Sequence, residues 1–177
     1  MNILIVVHPN MALTDNWTNE YDKGVSYYRD VLAARANYDV VICPFLRPFG
    51  GAWKDEHDSF VAEASALFDV AGFECVIGEI ILAHLDTLFL ENEVTRIDFA
   101  GGYATDCLAR SLHVFLKSYG SYCQDAGISV RLCFDLIYDA WSHARLSEQT
   151  TTAALDELRY LSGSLYFPGL LTNSFGE

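Results

Sequence analysis

At 177 residues, 51% of them hydrophobic and 20% charged, the chain is long enough for one domain with a real core and too apolar to be disordered. A net charge of −13 argues against nucleic acid as a partner, because that backbone is itself anionic. Charges interrupt every apolar run before it reaches the length of a membrane span, and the first residues lack the basic region of a signal peptide. A cytoplasmic chain without membrane contact is expected.

Ile3 to Val7 is a continuous, β-branched apolar run, the pattern of a strand covered on both faces. Residues 21–36 carry apolar side chains at helical spacing (Tyr21, Val25, Tyr28, Leu32), and Asp39 to Cys43 reads as a second buried strand. Pro44 to Asp58 is rich in Pro, Gly and aromatics and reads as a long loop of the kind that carries function. Ser59 to Val70 is expected to be a short helix, Cys75 to Leu82 a strand or a strand followed by a turn, and His84 to Glu93 helical. Arg96 to Ala100 is a further strand, Asp106 to Gln124 a helix, Ile128 to Phe134 a strand, and Ser147 to Ser162 a helix opened by Ser147. The tail, 163–177, holds either a last short strand at Leu165 to Phe167 or an interface arm. Strands alternating with helices predict a single α/β domain over 1–177: three αβα layers around a mostly parallel, Rossmann-like sheet with helices on both faces.

Five cysteines (Cys43, Cys75, Cys107, Cys123, Cys133) form an odd set without C-x-x-C spacing. That suits reduced, packed thiols better than a disulfide framework or a zinc knuckle. Cys107 stands apart. The apolar run ending at Ala100 is followed by Gly101-Gly102-Tyr103-Ala104-Thr105-Asp106 and then the thiol, at an apparent helix start. A helix N-terminus favours thiolate through its dipole and unpaired N–H groups, which would also hold an oxyanion. The alternative from layout alone is a tight strand-to-helix turn with Cys107 simply packed.

The order of elements and four segments resemble the isochorismatase-like cysteine hydrolases, the superfamily that includes nicotinamidases. The segments are the first strand, His57-Asp58-Ser59-Phe60, Gly101 to Cys107, and Ile128 to Ala140 with Asp135. The resemblance implies a site built from an Asp ending the first strand, a mid-chain Lys, and a Cys that attacks an amide carbonyl. His8 stands where the Asp is expected, and a His can serve a Cys as base. No lysine lies between Cys75 and Asp98, and Glu79 is nearest the expected place, where an acid would oppose a thiolate. The family pattern also sets one more residue before the cysteine. That would give the nucleophile position to Leu108 and turn Cys107 about 100° away on a regular helix.

The expected pocket therefore comprises Cys107 and His8, with Tyr103, Ala104, Thr105, Asp106 and Leu108 around it and the N–H groups near Asp106 and Cys107 as oxyanion donors. Asp15, Arg47, Trp53 and His57 are candidates for a substrate loop. The family's metal site is mostly missing, since only His57 with Asp55 and Asp58 remains, so no metal and no cofactor is expected. A cis peptide at Tyr103-Ala104 would accompany a retained site. Three readings stay open: a non-catalytic relative serving as a small-molecule-binding or assembly module, an active hydrolase of a small amide, and an unrelated doubly wound nucleotide-binding domain. Aromatic richness together with the resemblance points to a homo-oligomer.

Overall fold

The computed structural model describes residues 1–8, 30–31, 33–45, 68–73, 76–137, 156, 158, 160 and 170–174. Among these residues six strands form one sheet: β1 Asn2–Val7, β2 Val40–Phe45, β3 Val70–Phe73, β4 Arg96–Gly101, β5 Ser129–Ile137 and β6 Leu171–Ser174. Their order is β3-β2-β1-β4-β5-β6, and every pairing is parallel. The chain builds outward from β1 through β2 and β3, then crosses back to lay β4, β5 and β6 on the other side. This reversal puts a topological switch point between β1 and β4, and in open α/β sheets the crevice beyond the carboxyl ends of such strands receives ligands.

The apolar run of β1 is sorted by the two-residue period of a strand. Ile3, Ile5 and Val7 join Ile97, Phe99, Val130 and Leu132 on one face, against Ile81, Leu85, Leu112, Phe115 and Leu116 of two helices, α1 Glu79–Glu91 and α2 Ala109–Ala126. Leu4 and Val6 face the other way, with Val41, Cys43 and Ala100, against Val31 and Phe68. Because both faces are covered, the strand can be apolar throughout, as parallel sheets require.

Two boundaries differ from expectation. The run Ile80-Ile81-Leu82 belongs to helix α1, which Gly78 caps in an extended conformation, and the neighbouring strand is β3, Val70–Phe73. A short apolar run cannot be told from a buried helix by pattern alone. Burial resolves it: Ile81, Leu85 and Leu88 form one stripe at helical spacing. A strand not expected from the sequence, Leu171–Ser174, pairs with β5 at the sheet edge, while the expected strand at Leu165 to Phe167 lies outside the described residues. α2 runs two residues past the expected Gln124 and is capped by Gly127 in the left-handed region (φ 69°), with the Ile128 N–H donating 2.8 Å to the Cys123 carbonyl.

Among the described residues one carboxylate is wholly inside. Asp98 of β4 is buried on the face of Leu4 and takes both Arg131 donors, Nε and Nη2, at 2.8 Å. The Tyr38 hydroxyl donates to it at 2.6 Å, and Arg96 lies 3.4 Å away with its guanidinium over the Tyr38 ring. Such a carboxylate persists only because each oxygen is matched by a donor. Among the described residues no helix is long and apolar enough to cross a membrane.

Candidate active site

The two chain segments that leave β1 and β4 at the switch point are His8 and Gly101–Leu108. β1 and β4 stay in register to their ends, where Val7 faces Gly101. There the approach is closer than a side chain allows: a Cβ on Gly101 would lie 2.0 Å from the Val7 carbonyl oxygen, and its φ is +96°. Glycine is required on both counts. Gly102 then donates its N–H to the same Val7 oxygen at 3.0 Å. On the opposite side His8, with φ 49° and 1% exposure, donates its backbone N–H to Pro44 at 2.9 Å. The two segments are thus fixed to the sheet before either reaches the crevice. The cis peptide lies at Gly102-Tyr103, one residue earlier than expected.

From Tyr103 the chain does not enter a regular helix. Ala104–Leu108 forms a π-helical turn, and the Leu108 N–H reaches back five residues to the Tyr103 carbonyl at 3.0 Å. Turns of this kind are rare and concentrate at functional sites. The wider turn corrects the register argument, which assumed 3.6 residues per turn. Leu108 is fully buried in the core with Ala104, while Cys107 keeps 8% exposure. Thr105 is half-buried and Asp106 exposed.

The surroundings of the thiol are mixed. Cys107 Sγ donates to Asp106 Oδ2 at 3.8 Å, and Asp106 pairs with Arg110 one turn on, at 3.5 Å. Burial first, and then the Asp106 charge, push the thiol from its ordinary 9.0 up to about 11. A backbone hydrogen bond from Tyr103 and the charge of Arg110 pull the other way without prevailing. The acid that opposes the thiolate is therefore Asp106, while Glu79 sits exposed at the first turn of α1, where the helix dipole favours it. The backbone donors of the turn have partners of their own. The Asp106 N–H is spent on the Tyr103 carbonyl at 3.1 Å, and it is the Tyr103 amide that bonds at the sulfur.

Asp15, Arg47, Trp53 and His57 lie outside the described residues, as do Asp55 and Asp58. Among the described residues no three His, Cys, Asp or Glu side chains gather as a metal would need. The described cysteines Cys43, Cys107, Cys123 and Cys133 are all free thiols. Sequence reasoning missed the Tyr103 amide and the clamp at Gly101. The doubled glycine at the strand end was the available sign of the latter.

No protein-family model matches the chain, and no curated protein matches it in sequence. Solved structures do match in shape. A pyrazinamidase/nicotinamidase from Streptococcus mutans UA159 superposes with a TM-score of 0.54 at 12% identity, over 98% of this chain and 100% of that one. The MAR1 ribonuclease from Caenorhabditis elegans gives 0.50 at 16%, over 96% and 80%. A nicotinamidase/pyrazinamidase from Bacillus subtilis gives 0.50 at 10%, over 98% and 99%. What this chain shares with them is the fold. The α/β architecture and the resemblance read from the sequence are borne out at that level.

Proposed function

We propose that this chain is a non-catalytic protein of the nicotinamidase-like fold, which holds a small-molecule ligand in the crevice between the ends of β1 and β4. It does so in the cytoplasm and without a metal or cofactor. One observation carries the reading: the Cys107 thiol is nearly buried and donates to a carboxylate. A protonated thiol at neutral pH is not a nucleophile. A ligand carbonyl or carboxylate oxygen that displaced the sulfur would find the Tyr103 amide as its donor. The test is site-resolved alkylation by iodoacetamide from pH 6 to 10, read by mass spectrometry. Labelling of Cys107 only on unfolding supports the proposal, and labelling governed by an apparent pKa below that of a free thiol overturns it.

A second reading has one observation in its favour, the Tyr103 amide at the sulfur. In that reading His8 takes the thiol proton and Sγ attacks the carbonyl of a small amide, with the oxyanion at the Tyr103 N–H. The amine leaves with the proton from His8, and water cleaves the thioester. Ammonia or amine release across a panel of small amides, lost in Cys107→Ser, selects this reading over the first.

A further inference from the structure

We infer that the outward face of α1 is a docking site for an amphipathic helix of another protein, one whose apolar stripe is flanked by basic side chains. α1 and α2 cover the same face of the sheet, yet they meet solvent differently. The outward face of α2 is polar, with Arg110, His113, Lys117, Ser121 and Gln124 exposed at helical spacing. α1 buries Ile81, Leu85 and Leu88 against the sheet and is apolar again on the opposite side. There Ile80 is 58% exposed and Leu90 86%, with Ala83 and Thr87 exposed between them. A helix apolar on all sides is ordinarily enclosed on all sides.

The spacing of this row suits a helix. Ile80, Ala83, Thr87 and Leu90 follow the alternating three- and four-residue step at which one helix receives the side chains of another. The Thr87 hydroxyl donates to the Ala83 carbonyl of its own helix at 3.1 Å, so the methyl group is what remains for a partner. At about 1.5 Å per residue the row runs for about 15 Å, the contact length of a transient complex and not of an obligate one.

Charge selects the kind of helix. Exposed Glu79 and Asp86 flank the row on one side, and exposed Glu91 flanks it on the other, beside half-buried His84. Such flanking positions set the choice of partner when helices pair. Asp86 accepts the Tyr119 hydroxyl at 2.8 Å, which holds its carboxylate in place. A partner with lysine or arginine at the facing positions gains opposite-charge pairs along both flanks. A second copy of α1 does not, because a two-fold pairing lays the Glu79 and Asp86 flank against the same flank of the copy. The net charge of −13 adds to that repulsion. The same acids oppose an anionic lipid surface, which interfacial helices meet with lysine and arginine.

The test is fluorescence anisotropy of a labelled synthetic helical peptide of about three heptads, with a leucine stripe flanked by lysines, titrated with the full chain at about 0.15 M salt. A Kd of about 10 μM or tighter is expected. A peptide with glutamate flanks, and one with lysine flanks and a serine stripe, should each bind at least tenfold more weakly. Leu90→Glu, checked for an unchanged circular-dichroism spectrum, should also cost at least tenfold, as loss of an apolar anchor does. Glu79→Lys combined with Glu91→Lys should transfer the preference to the glutamate-flanked peptide. Absence of binding at about 100 μM, equal binding of the serine-stripe peptide, or indifference to Leu90→Glu or to the charge reversal overturns the proposal. So does a dimer by light scattering, or sedimentation with phosphatidylcholine vesicles, that Leu90→Glu abolishes, since a second copy or a membrane then occupies this face.

Discussion

Replacing Gly101 with alanine should damage this protein far more than the same change at its other described left-handed glycine, Gly127. At Gly101 the added Cβ would stand 2.0 Å from the Val7 oxygen, 2.6 Å from its nitrogen and 2.7 Å from its carbonyl carbon. A carbon and a carbonyl oxygen need about 3.3 Å, so β1 and β4 must part by roughly 1 Å at the mouth of the crevice. That movement breaks the Gly102 N–H bond to Val7, and an alanine at φ +96° is itself strained. Strain of about 1–3 kcal/mol and one or two lost hydrogen bonds at about 1 kcal/mol each give a loss of about 2–5 kcal/mol. At Gly127 the φ is +69° and a Cβ would meet nothing within 4 Å, which leaves about 1–2 kcal/mol of backbone strain. Urea unfolding of both variants measures the difference directly, provided the slopes agree. Losses equal within about 0.5 kcal/mol, the margin for independent sites, would refute the close approach of β1 and β4 as the reason for the glycine.

Cys107 with its thiol at about 11 instead of 9.0 should have a thiolate fraction about a hundredfold lower near pH 8. Alkylation slower than that of an unfolded control by at least this factor is expected, and Asp106→Asn should speed it by removing an opposing charge. Asp98→Ala strips the partner from Arg131, and urea unfolding should register a loss of about 3–5 kcal/mol, as when one member of a buried pair is removed; a loss below about 1 kcal/mol would mean that water already screens the pair. Burial also raises the thiols of Cys43 and Cys123, the latter to about 12. Each folded thiol keeps a proton that the unfolded chain releases above about 9, so stability should fall steadily from there towards pH 12. A melting temperature that stays flat from pH 8 to 11 would count against this burial.

The sequence by itself determined the parts that rest on local pattern. The β-branched run at Ile3 to Val7, the strand at Arg96, the long helix before Ile128, and the doubled glycine before Cys107 are legible because backbone periodicity and glycine's freedom are properties of neighbouring residues. They were enough to give the α/β class. Tertiary structure decided what depends on contacts between distant segments. The apolar run at Ile80 became helix because its stripe packs on the sheet, not because of its composition. Asp98, unremarkable in the sequence, is the charged centre of one sheet face because Arg131 and Tyr38 arrive from elsewhere. The register of Cys107 was decided in the same way: the close approach of Val7 and Gly101 fixes the entry to the helix, and the π-helical turn that follows sends Leu108 into the core. A count along a regular helix assumes ideal geometry, and here the packing of β1 against β4 sets the geometry instead.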